Sequence, residues 1–246
     1  MSSCDCGCEH QTTCSPRAGR SPRASPRPAH SKRQVDSETV RTVKHVNPGM
    51  LADSLLNVIE NEVVPLTERG VENGNKLFGA AICGPDFTRN IAGTNNEFRN
   101  PLFHGEVSAI FNYFDLPEEE RPGRPDECVF FATHEPCPLC LSSIAWTGFK
   151  EVYYLFTYED TRDAFAIPHD LKILESVFKC PNGSYNRQND FFRAKSVAEL
   201  IAEVSDEEER AALQQRVEVL RVKYDELSAV YQQKKSEGKT GNVILG

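Results

Sequence analysis

From residue 48 onward the chain alternates between helical and strand periodicity. GMLADSLLNVIENEVVPLTERG (49–70) places Leu51, Leu55, Val58 and Ile59 on one stripe, followed by Val63, which predicts an amphipathic helix. LFGAAICG (77–84) is a short apolar run, Pro85-Asp86 marks a turn, and FTRNIAGT (87–94) can pair back on the run as a hairpin. In HGEVSAIFNYF (104–114), Val107, Ile110, Phe111 and Phe114 stand at helical spacing. ECVFFAT (127–133) is apolar nearly throughout, as expected of a strand inside a sheet. CPLCLSSIAWTG (137–148) predicts a helix ended by Gly148, EVYYLFT (151–157) another strand, and DLKILESVF (170–178) a further helix. The predicted order is α-β-β-α-β-α-β-α. Strand–helix–strand alternation from 104 onward implies parallel neighbours and an α/β fold, a three-layer α/β/α sandwich.

Both ends depart from this pattern. Residues 1–38 are rich in Ser, Pro and Arg and nearly free of large apolar side chains, so the segment cannot offset its ordering entropy and is expected to be a disordered arm. Ser-Pro-Arg recurs at 15–17, 21–23 and 25–27. This is either a solvated basic tail or an arm whose charge phosphate on Ser15, Ser21 or Ser25 would cancel. Cys4, Cys6, Cys8 and Cys14 could hold a metal, but their spacing is not that of a structural zinc module. At the other end, Ser205-Asp-Glu-Glu is a capping-box start, and Leu213, Val217, Leu220, Tyr224, Leu227 and Tyr231 recur at alternating spacings of four and three. That seam fits an extra helix lying on the domain or one that self-associates. The expected organisation is an arm (1–38), a folded domain (45–195), a helical extension (196–238) and a flexible tail (239–246).

Composition narrows the class. Of 246 residues, 39% are hydrophobic and 26% charged, which fits a soluble core with polar extensions. No apolar run approaches the ~20 residues needed to span a bilayer, so no membrane partner is expected. The nine cysteines are odd in number and no secretory signal is visible; a disulfide framework is not expected, and a reduced, cytoplasmic compartment is. The Arg/Ser-rich stretch at 15–33 leaves an organelle presequence open, although Asp5, Glu9 and the cysteines beside them fit one poorly. The formal charge is −8. Residues 1–34 hold six basic and two acidic residues, +4, so the remainder carries −12. An acidic body repels phosphate backbones and argues against a large nucleic-acid footprint.

The chemistry concentrates at Cys137 and Cys140. Residues three apart on a first helical turn point the same way, towards unpaired N–H groups and the positive dipole end that favour thiolates. Two thiolates make half a zinc site. The body has no second C-x-x-C, whereas a catalytic site needs one more ligand and leaves a position for water. His45, His104, His134 and His169 are the histidines available. His104 opens the preceding helix, two residues before Glu106. A lone histidine is more often structural than a ligand, and a lone first-turn glutamate is more often a dipole partner than a catalyst.

His104-Gly105-Glu106 and Pro136-Cys137-Pro138-Leu139-Cys140 together resemble the H-x-E…P-C-x-x-C signature of the zinc nucleobase deaminases. The order strand, PCxxC helix, strand is also similar to the cytidine-deaminase-like fold, and the resemblance covers roughly 50–180. It implies that His104, Cys137 and Cys140 hold one Zn²⁺ per chain and that water, its pKa lowered towards ~7, takes the fourth place. It implies that Glu106 shuttles the proton without binding metal. HEPCPLCLSSIAW looks most like the guanine deaminase and tRNA adenosine deaminase branch. In GTNNEFRNPLFHGE (93–106), Asn95 or Asn96 would read the base, although the spacing to the histidine is shorter than that branch's. In TYEDTRDAF (157–165), Asp163 and Phe165 would touch substrate; Glu159 or Asp160 could serve instead, and the stretch could be a solvated acidic loop. The common H-A-E is H-G-E here.

The implied activity is hydrolytic removal of an exocyclic amine from a small nucleobase, nucleoside or nucleotide, an aminopurine such as guanine being favoured. A cytosine or deoxycytidylate-type pyrimidine deaminase, a tRNA adenosine deaminase and a zinc-scaffolded interaction protein are the alternatives. The resemblance also implies a homodimer or higher homo-oligomer.

Overall fold

The computed structural model describes residues 47–241, which fall within one unit. The expected arm at 1–38 with its cysteines, His45, and the end of the tail (242–246) lie outside the described residues.

The first helical pattern forms α1 (Pro48–Val58), one π-helical turn (Ile59–Val63) and α2 (Val64–Glu72). Asn47 Oδ1 accepts from the Gly49 and Met50 amides, and Pro48 fills the first position, where its missing N–H costs nothing. The π turn ends just before Pro65. That residue offers no amide to the ladder, and the wider turn accommodates its ring. Leu51, Leu55, Val58, Ile59 and Val63 are all buried, as their stripe predicts.

Five strands form one sheet in the order β2-β1-β3-β4-β5: β1 (Gly79–Cys83), β2 (Asn90–Thr94), β3 (Val129–His134), β4 (Glu151–Phe156) and β5 (Arg193–Ser196). β1 and β2 make the expected hairpin, and β1 runs antiparallel to β3. β3, β4 and β5 are parallel. Alternate residues feed two cores. Ala81, Cys83, Val129 and Phe131 meet α1, the π turn, α2, α7 (Val197–Ala202) and α8 (Glu207–Ser236). Ala80, Ile82, Phe130, Ala132, Val152 and Tyr154 meet α3 (Gly105–Asp115) and α4 (Pro138–Thr147). This is the expected three-layer α/β/α sandwich. α5 (Tyr158–Asp163) and α6 (His169–Ser176) connect β4 to β5.

The structure adds three elements to the expected order: α5, β5 and α7. The expected boundary at 195/196 falls inside β5, because residues 193–196 pair with β4 and Ser196 caps α7. The heptad seam also resolves. Leu213, Leu220, Tyr224, Leu227 and Tyr231 are buried against the chain's own domain, with Val217 packed beside them. Arg216 fixes the register of α8 on α1 by donating to Asp53, Asn57 and Glu60.

Tyr224 reaches the ring of His134 at the end of β3. Phe78, Phe156 and Phe165 complete the shell around that imidazole, with ring centroids 4.6–5.4 Å away. Its Nδ1 lies 2.8 Å from Thr133 Oγ1 and its Nε2 has no partner among the described residues. Burial pulls the His134 pKa down to about 3, against roughly 6.5 in the unfolded chain. Between those values the unfolded state takes up a proton that the folded state refuses. Stability is therefore expected to fall as pH drops from 6.5 towards 3, by up to ~1.4 kcal/mol per pH unit from this group. Urea midpoints of His134→Phe and the parent at pH 7 and pH 5 test this. The variant should lose less between the two, and equal losses would place the proton uptake elsewhere.

Candidate active site

Three chain segments deliver the site to one end of the sheet. β2 leads through the 95–103 loop to α3, whose N-cap is His104. β3 leads through Glu135-Pro136 to α4, whose N-cap is Cys137. β1 enters between them. A Cβ at position 105 would lie 2.7 Å from Gly79 Cα and 2.8 Å from Phe78 O. Only glycine permits so close an approach, which explains H-G-E in place of H-A-E. Pro138 starts α4 at a position that needs no amide, and the Leu141 amide donates to Cys137 O at 2.9 Å. Glu135 braces this turn from behind. Its Oε1 lies 2.8 Å from Arg187 Nη2, and Tyr158 Oη donates to Pro136 O at 2.5 Å.

His104 Nδ1 lies 3.5 Å from Cys137 Sγ and 3.7 Å from Cys140 Sγ, and the sulfurs are 3.6 Å apart. Tetrahedral zinc, with Zn–S ≈ 2.3 Å and Zn–N ≈ 2.0–2.1 Å, requires about 3.8 Å between sulfurs and about 3.6 Å from sulfur to nitrogen. The fit is within a few tenths of an ångström. Among the described residues this is the one group of three metal-type ligands. The electrostatics agree. The hydrogen bond shared with Cys140, and then His104, hold the Cys137 sulfur well below the usual thiol range against its burial; burial, then the bond with Cys137 and that sulfur's charge, push Cys140 well above it. A central cation removes that conflict by letting both sulfurs ionise. His104 is pulled down by burial, but its bond to Cys137 and that sulfur's charge overcome this and raise it to about 9.

Glu106 is buried on the first turn of α3. Burial, then the Cys137 charge, raises its carboxyl to about 7, where a group can both take and give a proton. A second carboxyl, not anticipated from sequence, feels the same charges. Burial, then Cys137, pushes Asp170 on the first turn of α6 up to about 8, with His104 opposing and Glu106 adding to the rise. Burial lowers the neighbouring His169, and Lys76, Lys172 and Lys235 lower it further.

The residues read as substrate-binding are placed as follows. Asn95 is buried against the site, and its Oδ1 accepts from the Gly105 amide at 2.6 Å. Asn96 is exposed; its Oδ1 accepts from the Arg99 amide, and it lines an open groove of about 610 Å³ along α2, β2 and α3 that neither the triad nor Glu106 lines. Asp163 is exposed and pairs with Arg162 at 2.6 Å. Phe165 is fully buried among His134, Phe156 and Tyr224. α5 leaves Asp163 in solvent, whereas Asp170 on α6 feels the charges of Cys137, His104 and Glu106. Asp160, read as an alternative, is held by Thr157 and Arg221.

A His/Cys/Cys triad at metal-ligand spacing, with a buried glutamate on the first turn of α3, is what the comparisons with known proteins bear on. Residues 59–156 match the model of the cytidine and deoxycytidylate deaminase zinc-binding region. Guanine deaminase of Bacillus subtilis (strain 168) is 33% identical over 104 residues, covering 41% of this chain and 64% of that protein, so the match spans less than two thirds of the relative's length. The solved structure of guanine deaminase from Bacillus subtilis aligns with 24% identity over 55% of this chain and 98% of that one, at a TM-score of 0.35. A structure from work on A-to-I editing by tRNA:A34 deaminases aligns with 19% identity over 54% and 92%, at a TM-score of 0.37. No described helix is long and apolar enough to cross a membrane.

Proposed function

We propose that this chain is a zinc-dependent hydrolytic deaminase of a small nucleobase, nucleoside or nucleotide, with an aminopurine such as guanine the favoured substrate. The observation that carries this is the His104, Cys137 and Cys140 triad at zinc spacing with Glu106 buried beside it. The purine preference rests on the HEPCPLC motif and on the 33% identity to a guanine deaminase. When bound, zinc supplies the Lewis acidity that brings the pKa of water to about 7. Glu106 takes a proton from water, holds it, passes it to the ring nitrogen, and assists protonation of the departing amine. Water oxygen replaces the amine nitrogen, ammonia leaves, and the carboxyl returns to its starting state. Asp170, which feels the charges of Cys137, His104 and Glu106, is assigned the role of accepting from an N–H on the amidine edge of the ring.

Ammonia release by zinc-loaded protein on guanine, adenine, cytosine, their nucleosides and nucleotides, and a tRNA pool tests the reading. One small compound is expected to turn over. Asp170→Asn is expected to lower its kcat/KM roughly two- to tenfold, the worth of a neutral hydrogen bond of roughly 0.5–1.5 kcal/mol. Turnover of tRNA alone would overturn the small-molecule assignment. Full activity in Asp170→Asn would remove that carboxyl from substrate recognition.

A further inference from the structure

Behind the metal-binding turn lies a second carboxylate that the reaction does not use. Glu97 is 1% exposed. Its Oε1 accepts from Asn95 Nδ2 at 2.6 Å and its Oε2 from the Lys76 amide at 3.2 Å, while its own amide donates to Asn75 Oδ1 at 2.9 Å. Gly241 closes the remaining side: its amide donates to Gly74 O, and a Cβ there would lie 2.9 Å from Glu97 Cβ. Asn95, also 1% exposed, continues the chain by accepting from the Gly105 amide. Gly105 stands between the metal-binding His104 and the proton-carrying Glu106.

A carboxylate can only accept, and a backbone amide can only donate. The Asn95 side chain between them therefore has one orientation, Nδ2 towards Glu97 and Oδ1 towards Gly105. We propose that Glu97 is a positioning residue for the metal site: by fixing the orientation of Asn95 it holds the Gly105 amide, and with it the pose of His104 and Glu106. Asn95, in this arrangement, is fixed from behind and serves the metal-binding turn. The inference rests on the zinc reading of the triad. Partners that orient a metal ligand through a hydrogen bond typically contribute 10–100-fold to metal affinity or activity.

The polarity of the chain supplies the test. Glu97→Gln sets a donor against the Lys76 amide or, rotated, against Asn95 Nδ2. Asn95→Asp sets two acceptors face to face. The double variant N95D/E97Q re-forms every bond with the middle one reversed: the new side-chain amide at 97 donates to the new carboxylate at 95, which still accepts from the Gly105 amide. Zinc affinity of the full chain, read by competition with a chromophoric chelator, is expected to fall roughly 10–100-fold in each single variant and to return most of the way in the double. Additive losses in the double variant, or wild-type affinity in Glu97→Gln, would overturn the proposal. Where a single variant does not fold, the double still decides: it must fold and bind zinc, and a double variant that does neither overturns the proposal. No substrate enters this measurement. Silence of the parent enzyme in the ammonia assay would count against the deaminase reading and leave the positioning role standing.

Discussion

Glu106→Gln is expected to bind one zinc per chain and to release ammonia about 10²–10⁴ times more slowly than the parent, the range spanned by a positioned general acid–base. The side chains are nearly isosteric, so the triad and the first turn of α3 keep their shape. What is lost is the ability to take a proton and return it. Among the described residues, His104 and both sulfurs are turned to the metal position, and Asp170 is assigned to the edge of the ring and not to the water. If Glu106 were only a first-turn glutamate favoured by the helix dipole, the substitution would cost about 0.3–1 kcal/mol of stability and leave turnover intact. Zinc stoichiometry, melting temperature and initial rate on the same preparation separate the cases. A variant keeping more than a tenth of the parental rate would remove the carboxyl from the proton path.

Tyr224→Ala is expected to give the largest loss of stability. Its ring is fully buried and meets His134, Phe156 and Phe165, so truncation opens a cavity where α8 reaches the end of β3. Large-to-small aromatic changes in cores cost about 3–5 kcal/mol. For a chain of this size that lowers the melting temperature by roughly 2–4 °C per kcal/mol. Because the seam is turned onto the chain's own domain, the mass in solution, read by light scattering, should not change. Tyr224→Phe is the control. Its hydroxyl faces Thr67 and Thr133 without a hydrogen bond of good geometry among the described residues, so removing it should change stability by less than about 1 kcal/mol. A small effect of the alanine variant, or a fall in oligomer mass, would return α8 to the role of an association helix.

Where periodicity was strong, the sequence was legible. Val129–His134 and Glu151–Phe156 read as strands because both faces are covered, and the PCxxC helix read correctly to its end because Gly148 adopts the left-handed conformation (φ 88°) that closes it. β5 was illegible for a physical reason. Arg193-Ala194-Lys195-Ser196 is an edge strand of four residues with little apolar content, and only pairing with β4 makes it a strand. α5 lies in the acidic stretch that a loop would also produce; the reciprocal capping of Thr157 and Asp160 makes it helical. α7 carried a usable signal in Ser196 and Glu199, a capping box of the same kind. The ligand triad was legible because two short motifs fix three residues locally. Asp170 and Glu97 were not. An aspartate opening a helix and a glutamate in a polar loop look ordinary until tertiary structure turns one towards the site and buries the other behind it.

The pairing of α8 with α1 also sets the order in which the molecule can be completed. Arg216 and Asp53 are 163 residues apart, and Tyr224 fills the core beside a strand that ends at His134. During synthesis the sheet through β4 is available well before the helix that covers it. At roughly 5–20 residues per second, the interval between translating residue 156 and residue 231 is roughly 4–15 s. Through that time the part of α1 that α8 packs on and the Tyr224 side of the His134 shell lack their cover. Contacts this distant also slow the closing step itself. The nascent domain is thus exposed to chaperones and to aggregation for seconds, and the metal-binding turns are made before the core beneath them can be sealed.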